Sequence, residues 1–308
     1  MVDLSGVLAR IPGRDDILAA LDRIPAARGA VSPFVAGDSV GAAVTAVGEV
    51  ASSGMGASVL YLPMPDAEPA ARLAHMQVIE ALAQEDLAAG TDLTVSLPAL
   101  GLGSSPPETV EAEVAALCAA AAEVGMTVTF AGLRHPLVEE VLLIRSRLAG
   151  LYPDLGVTIA ANLRRSEGDC LDLAEAGARV RLIKREEQED SVLAFRGDHD
   201  VDKAYVRCLR LLMDRGARPI LFTHDSRLIE IAAALAERAD REPGQYSFQF
   251  RRGLNADLAA ELVAAGSAVS VLVPFGPNWP DYVSRRIGVS PASLGQAARA
   301  AAGRGAEQ

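Results

Sequence analysis

Short apolar segments alternate with longer amphipathic segments along most of the chain from residue 57 onward. Eight of the short segments predict β-strands, because each is a run of aliphatic, β-branched or aromatic residues. They are ASVLYLP (57–63), DLTVSLPA (92–99), TVTFAG (127–132), VTIAAN (157–162), RVRLIK (179–184), RPILFTH (218–224), YSFQFR (246–251) and AVSVLVPF (268–275). Several are apolar at consecutive positions, which is typical of strands covered on both faces.

The segments between these strands carry apolar residues at helical spacing. The stripe that begins at Val110 and Val114 continues through Leu117, Cys118 and Ala121, which places Cys118 in the core. Alternation of eight strands with helices predicts a (β/α)8 TIM-type barrel with an N-terminal helical preamble. We assign FVAG (34–37) to that preamble and not to a ninth strand. Residues 1–295 are predicted to form one domain, and the small-residue-rich tail 296–308 is predicted to be disordered.

Charge and cysteine content narrow the classes of function. The net charge of -11 and the pI of about 4.9 argue against nucleic acid or an anionic membrane as the main partner. Three widely spaced cysteines give neither a disulfide framework nor a zinc pattern, which indicates a reducing, cytoplasmic setting. No apolar run has the length of a transmembrane helix.

The chemistry of such a barrel lies where the strands end and the next loops begin. The polar or altered positions there are Ser96, Ala131, Asn162, Arg181, Lys184, Thr223, His224, Arg251 and Arg252, with Arg285 and Arg286 on the following helix. The adjacent arginines are suited to a carboxylate ligand, although a solvated helix with surface salt bridges is the simpler interpretation. We expect no metal site, because GDHDVDK (197–203) is more typical of a solvated loop that caps a helix.

The turn after the sixth strand, Thr223-His224-Asp225, has two interpretations. Asp225 is expected to cap the next helix, and backbone amides at that helix start suit a phosphate group. A simple polar turn is the alternative. Both interpretations stay open from the residues alone.

Four longer segments give these residues a context, since they resemble the proline dehydrogenase family of flavin-dependent (β/α)8 barrels. The segments are FVAGDSVGAAV, ANLRRSEGDCLDLAEAGARVRLIK, DVDKAYVRCLRLLMDRGARPILFTHDSRLIEI and VPFGPNWPDYVSRRI, and the resemblance extends from about residue 34 to 295. It implies FAD as cofactor, hydride transfer from the proline ring carbon next to nitrogen to flavin N5, and Δ1-pyrroline-5-carboxylate as product. It also implies a small carboxylate substrate such as proline, with a quinone as a candidate electron acceptor.

The resemblance also assigns roles to individual residues. Arg181 matches the catalytic arginine beside flavin N5, and Lys184 matches a flavin-side lysine. Thr223 and His224 match the cofactor-binding turn. Arg285 and Arg286 match the pair that holds the substrate carboxylate.

Several strand-end residues depart from the family pattern. Ser96 and Ala131 replace a substrate-side lysine and its aspartate partner, Ala160 and Asn162 replace a glutamine and a tyrosine, Arg185-Glu186-Glu187 replaces Gly-Ala-Tyr, and Leu272 and Val289 replace a tyrosine and a glutamate. We expect Arg185, Arg251 and Arg252 to pair with Glu186 and Glu187 across the mouth and fill the flavin space. Three hypotheses stay open: a proline dehydrogenase, a flavin enzyme for another carboxylate substrate, and a catalytically degenerate barrel that binds a metabolite or protein partner.

Overall fold

A closed barrel of eight parallel strands forms the centre of the molecule. The structure, a computed structural model, describes residues 33–283 except 133, 187 and 188. The strands are β1 (Gly56–Tyr61), β2 (Asp92–Val95), β3 (Thr127–Phe130), β4 (Gly156–Ala160), β5 (Arg179–Ile183), β6 (Arg218–Phe222), β7 (Ser247–Arg251) and β8 (Val269–Phe275). Each strand pairs with the next, and β1 closes the barrel by pairing with β8 from Gly56↔Ser270 to Tyr61↔Phe275. The predicted barrel is confirmed.

Eight α-helices lie wholly within the described residues and surround the barrel. They are α1 (Val40–Ser52), α2 (Glu68–Gln84), α3 (Pro107–Glu123), α4 (His135–Leu148), α5 (Ser166–Glu175), α6 (Asp198–Asp214), α7 (Ser226–Arg238) and α8 (Ala256–Ala264), with a short 3-10 helix at Leu97–Leu100. Residues 279–283, after β8, are also helical. None of the helices in the described ranges is long and apolar enough to cross a bilayer.

Four predicted strands extend two residues past the observed ends of β1, β3, β4 and β6, and two local predictions differ more from the structure. Residues 34–37 are neither helix nor strand, because the Ala36 amide donates to the Pro274 carbonyl at 2.8 Å and α1 begins only at Val40. The second strand ends at Val95, before the predicted limit of 99, since Pro98 cannot donate to a sheet and the chain turns into the 3-10 helix. The predicted tail, 296–308, lies outside the described residues.

The two faces of the strands differ in chemistry. One set of alternate residues is apolar and packs against the helices, as Val59, Leu93, Val128, Leu182 and Val273 do in the main hydrophobic cluster. The other set points into the barrel, where side chains of β5 reach β1 and β2 across the interior. Cys118 is buried in the cluster, as predicted.

His75 makes the outer core sensitive to pH. It is 1% exposed in α2, and burial lowers its pKa to about 4. Because the pKa of an unfolded histidine is about 6.5, the unfolded chain binds the proton more readily, and stability falls as pH decreases from about 6.5 to about 4. We expect His75→Phe to remove about 2–3 kcal/mol of this acid-dependent loss. Urea denaturation of both proteins across this pH range measures it, and parallel pH profiles would contradict the assignment.

Candidate active site

A layer of apolar side chains lies near the carboxyl ends of five strands. Its members come from five strands and are Leu60, Ala160, Ile183, Phe222 and Leu272, packed with Val138, Leu142, Leu163 and Ala194 from outside the sheet. The Arg181 guanidinium, whose Nη2 donates to Ser58, Asp92 and Thr94, comes from β5, the strand that also contributes Ile183 to this layer. Polar groups buried beside these apolar side chains have surroundings of low dielectric, where each polar contact counts for more than in water.

Arg181, the predicted catalytic residue, lies in the polar interior and is 2% exposed. Its Nη2 donates to Asp92 Oδ2, Ser58 Oγ and Thr94 Oγ1, each at 2.9 Å. Burial lowers the pKa of Arg181 to about 10, and the Asp92 carboxylate limits the decrease. The guanidinium therefore stays protonated at neutral pH and is held rigidly on three partners.

Asp92 is a buried carboxylate next to Arg181 that the sequence analysis did not single out. Its carboxylate also accepts from Thr129 at 2.7 Å and from Arg179. Burial alone would raise the pKa of Asp92, but Arg179, Arg181 and the neighbouring hydroxyl groups lower it overall. The sequence does contain a signal for this pair. A buried arginine such as Arg181 needs a counter-charge, and Asp92 is the only acidic residue in the eight described strands.

Lys184 turns away from the barrel axis towards two helices. Its Nζ lies 2.7 Å from Asp202 Oδ1 of α6 and 2.9 Å from Asp225 Oδ2, which caps α7. Burial alone would lower the pKa of Lys184, but hydrogen bonds and charge from both carboxylates raise it. Lys184, which the resemblance places beside the flavin, therefore forms ion pairs with Asp202 and Asp225 in the structure.

The predicted cofactor turn lies at the end of β6. Thr223 is buried and its Oγ1 accepts from the Asp225 amide at 3.2 Å, while Asp225 caps α7 by accepting from the Arg227 amide, as predicted. The His224 ring packs between Phe222 and Phe250, with centroid distances of 6.0 and 5.7 Å. Burial, and secondly the charge of Arg251, lower the pKa of His224 to about 3, so the ring is neutral.

Three side chains on or next to adjacent strands have buried polar atoms without a hydrogen-bond partner in the described part of the chain. They are Asn162 Oδ1 after β4, Arg181 Nε in β5, and both ring nitrogens of His224 after β6. An unsatisfied buried polar group costs about 1–3 kcal/mol, and a bound ligand that supplies both donors and acceptors would remove this cost for all three side chains. The polar edge of an isoalloxazine ring carries both, so these residues fit a flavin.

We predict from the sequence that Arg185, Arg251 and Arg252 pair with Glu186 and Glu187 across the mouth. This prediction is wrong for Arg185 and Arg252. Arg185 pairs with Asp198 at 3.0 Å, and Arg252 pairs with Glu49 of α1 at 2.9 Å, so both arginines serve the outer surface. Arg251 lies over the Phe222 ring, 4.8 Å from its centroid. Glu186 does turn inwards, because its Oε2 lies 2.9 Å from the position that a Cβ of Gly132 would occupy. Glu187 lies outside the described residues.

The β2–β3 side of the mouth carries small uncharged residues. Ser96, Ala131 and Gly132 are all partly exposed, and Leu272 is buried on β8 nearby in the apolar layer. Glu186 is the charged group next to them. Arg285, Arg286 and Val289 lie outside the described residues, so the carboxylate clamp stays a prediction. Across the described ranges, His, Cys, Asp and Glu side chains form no cluster of three that suits a metal.

Comparison with solved structures supports the fold. The chain aligns with proline utilization A (PutA) from Bdellovibrio bacteriovorus inactivated by N-propargylglycine at a TM-score of 0.79 and 18% identity, over 94% of this chain and 36% of that one. A second structure, PutA with proline bound in remote sites, aligns at a TM-score of 0.71 and 19% identity. The chain thus spans about a third of these PutA chains, and at this identity the likeness concerns the barrel.

Sequence comparison extends the similarity to relatives of similar length. Proline dehydrogenase 1 of Bacillus subtilis is 27% identical over 264 residues, covering 84% of this chain and 86% of that protein. Proline dehydrogenase of Deinococcus radiodurans is 27% identical with coverage of 84% and 85%. The family model for proline dehydrogenase matches residues 49–288, which include every strand of the barrel. The chain therefore belongs to the proline dehydrogenase family.

Proposed function

We propose that the chain is an FAD-dependent dehydrogenase of a small carboxylate-bearing amine, with L-proline as the reference substrate of the family. The observation that carries the proposal is the set of unpartnered buried atoms of Asn162, Arg181 and His224 at one side of the mouth. Family membership supports the same chemistry. We further propose a quinone as electron acceptor and the cytoplasm as the compartment.

The proposed cofactor residues supply complementary polar atoms. Asn162 Oδ1 accepts a hydrogen bond, Arg181 Nε donates one, and neutral His224 donates from one ring nitrogen and accepts at the other. Thr223 and Asp225 fix the turn that carries His224. FAD supplies the hydride acceptor when bound. Lys184 stays a proposed flavin-side residue, with its ammonium group positioned by Asp202 and Asp225.

Arg181 is the proposed catalytic residue because its positive charge is fixed before substrate arrives. Asp92, Ser58 and Thr94 hold the guanidinium from below and leave Nε for the site. A preorganised charge of this kind stabilises developing negative charge without reorganisation of the site. Arg285 and Arg286 are the proposed ligands of the substrate carboxylate.

Substrate specificity is proposed to differ from that for proline. Ser96 and Ala131 provide no charge pair, and Leu272 presents an aliphatic surface to the substrate. The test is anaerobic reduction of the FAD-loaded protein, followed at the flavin absorbance, with L-proline and a panel of cyclic and N-alkyl amino acids. Reduction by a panel member faster than by proline is expected. Stable flavin binding without reduction by any panel member would contradict the proposed dehydrogenase activity.

His224→Phe is expected to lower FAD affinity at least tenfold. Phenylalanine preserves the contacts with Phe222 and Phe250 but removes both ring nitrogens, and hydrogen bonds of this kind are worth about 0.5–1.5 kcal/mol each. His75→Phe is the matched control, because the His75 ring also packs against an aromatic side chain, that of Tyr61, but lies in α2. Fluorescence titration with FAD measures both variants. If the two variants bind FAD with equal affinity, His224 is not part of the flavin site.

Glu186 favours a second candidate function, a degenerate barrel without flavin chemistry. Its inward carboxylate next to Gly132 adds negative charge to the mouth, and Lys184 is already neutralised by aspartates. Under this alternative the mouth binds a metabolite or protein partner. Failure of the protein to bind FAD under any loading condition would favour this second function over the dehydrogenase.

A further inference from the structure

A second cavity opens at the amino-terminal end of the barrel, opposite the proposed active site. Its volume is 390 Å³. Six residues that matter for its chemistry line it: Gly56, Asp92, Thr127, Arg179, Gln249 and Ser270. Gly56, Asp92, Thr127 and Arg179 are the first residues of their strands, which places the cavity at the opposite end from Asn162 and His224.

Positive charge exceeds negative charge at the floor of this cavity. The Asp92 carboxylate is shared by two arginines, with Arg181 on Oδ2 and Arg179 on Oδ1. Arg181 is not among the residues that line the cavity, so Arg179 is the cation that faces it. A partly buried cation that shares its single carboxylate favours a further anion.

Two polar groups in the cavity have hydrogen-bonding capacity left. Arg179 Nε donates to the Asp154 carbonyl and its Nη2 to Asp92 and Thr129, while its Nη1 has no hydrogen-bond partner in the described ranges. Gln249 is 1% exposed, and its Nε2 donates to Ser270 Oγ at 3.1 Å. Its Oε1 is buried and accepts no hydrogen bond from described residues. One group needs an acceptor and the other needs a donor.

We propose that this cavity binds a small oxyanion that also carries a hydroxyl group. An anionic oxygen accepts from Arg179, and the hydroxyl donates to Gln249 Oε1. Inorganic phosphate has both features at neutral pH, and a hydroxycarboxylate such as lactate has them on separate groups. The amino-terminal end of such barrels generally contributes stability while the carboxyl end carries chemistry, so the anion acts as a structural ligand.

Isothermal titration at constant ionic strength tests the site with phosphate, lactate and sulfate. Saturable binding of phosphate or lactate is expected. The anion with the lower dissociation constant shows whether the site prefers a phosphate or a hydroxycarboxylate. Sulfate has no hydroxyl group at neutral pH and is expected to bind about fivefold more weakly than phosphate. Gln249→Leu removes the acceptor and is expected to equalise phosphate and sulfate.

Gly56→Asp places a carboxylate in the cavity, where it would compete with the bound anion, and leaves Arg179 and Gln249 unchanged. A Cβ at Gly56 meets its nearest heavy atom at 3.6 Å, which is an ordinary contact. The aspartate variant is expected to lose at least tenfold in phosphate affinity, while Gly56→Ala keeps the wild-type value. Should the aspartate variant fail to fold, Gln249→Leu still decides. Absence of saturable binding to wild type, or phosphate binding that none of the folded variants alters, would overturn the proposal.

Discussion

Replacing Asp92 by asparagine lowers the free energy of unfolding by about 3–5 kcal/mol, the largest effect that we expect for a single polar side chain here. Asp92 is the carboxylate shared by Arg179 and Arg181, and Arg181 is 2% exposed. Removing the negative charge leaves two guanidinium groups close together inside the barrel. Because desolvation opposes both charges, the variant retains the cost of burial without the compensating attraction.

Urea denaturation of Asp92→Asn measures this effect, with Glu113→Gln as the matched control. Glu113 forms a surface pair with Arg72 at 2.8 Å, and exposed pairs contribute about 0–1 kcal/mol. The pH dependence has a defined sign as well. Because the pKa of Asp92 is lowered in the folded state, its contribution is present above the unfolded pKa and is lost as pH falls through the folded pKa. A loss below 1 kcal/mol in Asp92→Asn would contradict this role.

Gly276→Ala is expected to destabilise the protein by at least about 3 kcal/mol, the second large effect. Gly276 follows β8 with φ of 123°, and an added Cβ would lie 2.6 Å from the Leu62 carbonyl oxygen and 2.9 Å from the Leu62 nitrogen. Both atoms belong to the backbone, so no side-chain rotation relieves the contact. The Gly276 amide also donates to the Gly37 carbonyl, so displacement disturbs the segment before α1.

Gly41→Ala is the matched control for this substitution. Gly41 lies in α1 with no atom within 4 Å of its added Cβ, and alanine is preferred over glycine in a helix by about 1 kcal/mol. Thermal unfolding of the two variants should therefore shift in opposite directions. Equal melting temperatures for Gly276→Ala and wild type would contradict the close approach of β8 to Leu62.

The barrel was predictable from the sequence because its signals are local. Each strand is a short apolar run, and the helices between them repeat their apolar residues at helical spacing. The end of β2 was harder to predict. Ser96 and Leu97 continue the alternation of polar and apolar residues, although the chain has already left the sheet there. Asp225 was correctly predicted as a helix cap because that interaction spans two residues.

The partners of the charged residues were not predictable from local pattern. Arg179 and Asp92 are 87 positions apart, and only closure of the barrel brings β5 across from β2. The direction of Lys184 depends on carboxylates from α6 and α7, which no strand pattern reveals. The roles of Arg285 and Arg286 stay predictions.

The visible absorption spectrum of the purified protein, recorded after incubation with FAD and desalting, tests the central claim most directly. The unpartnered atoms of Asn162, Arg181 and His224 predict retained flavin bands at close to one FAD per chain. His224→Phe should lose those bands under the same treatment, while His75→Phe should retain them. A colourless wild-type protein after this procedure would contradict the flavin site and support the degenerate barrel.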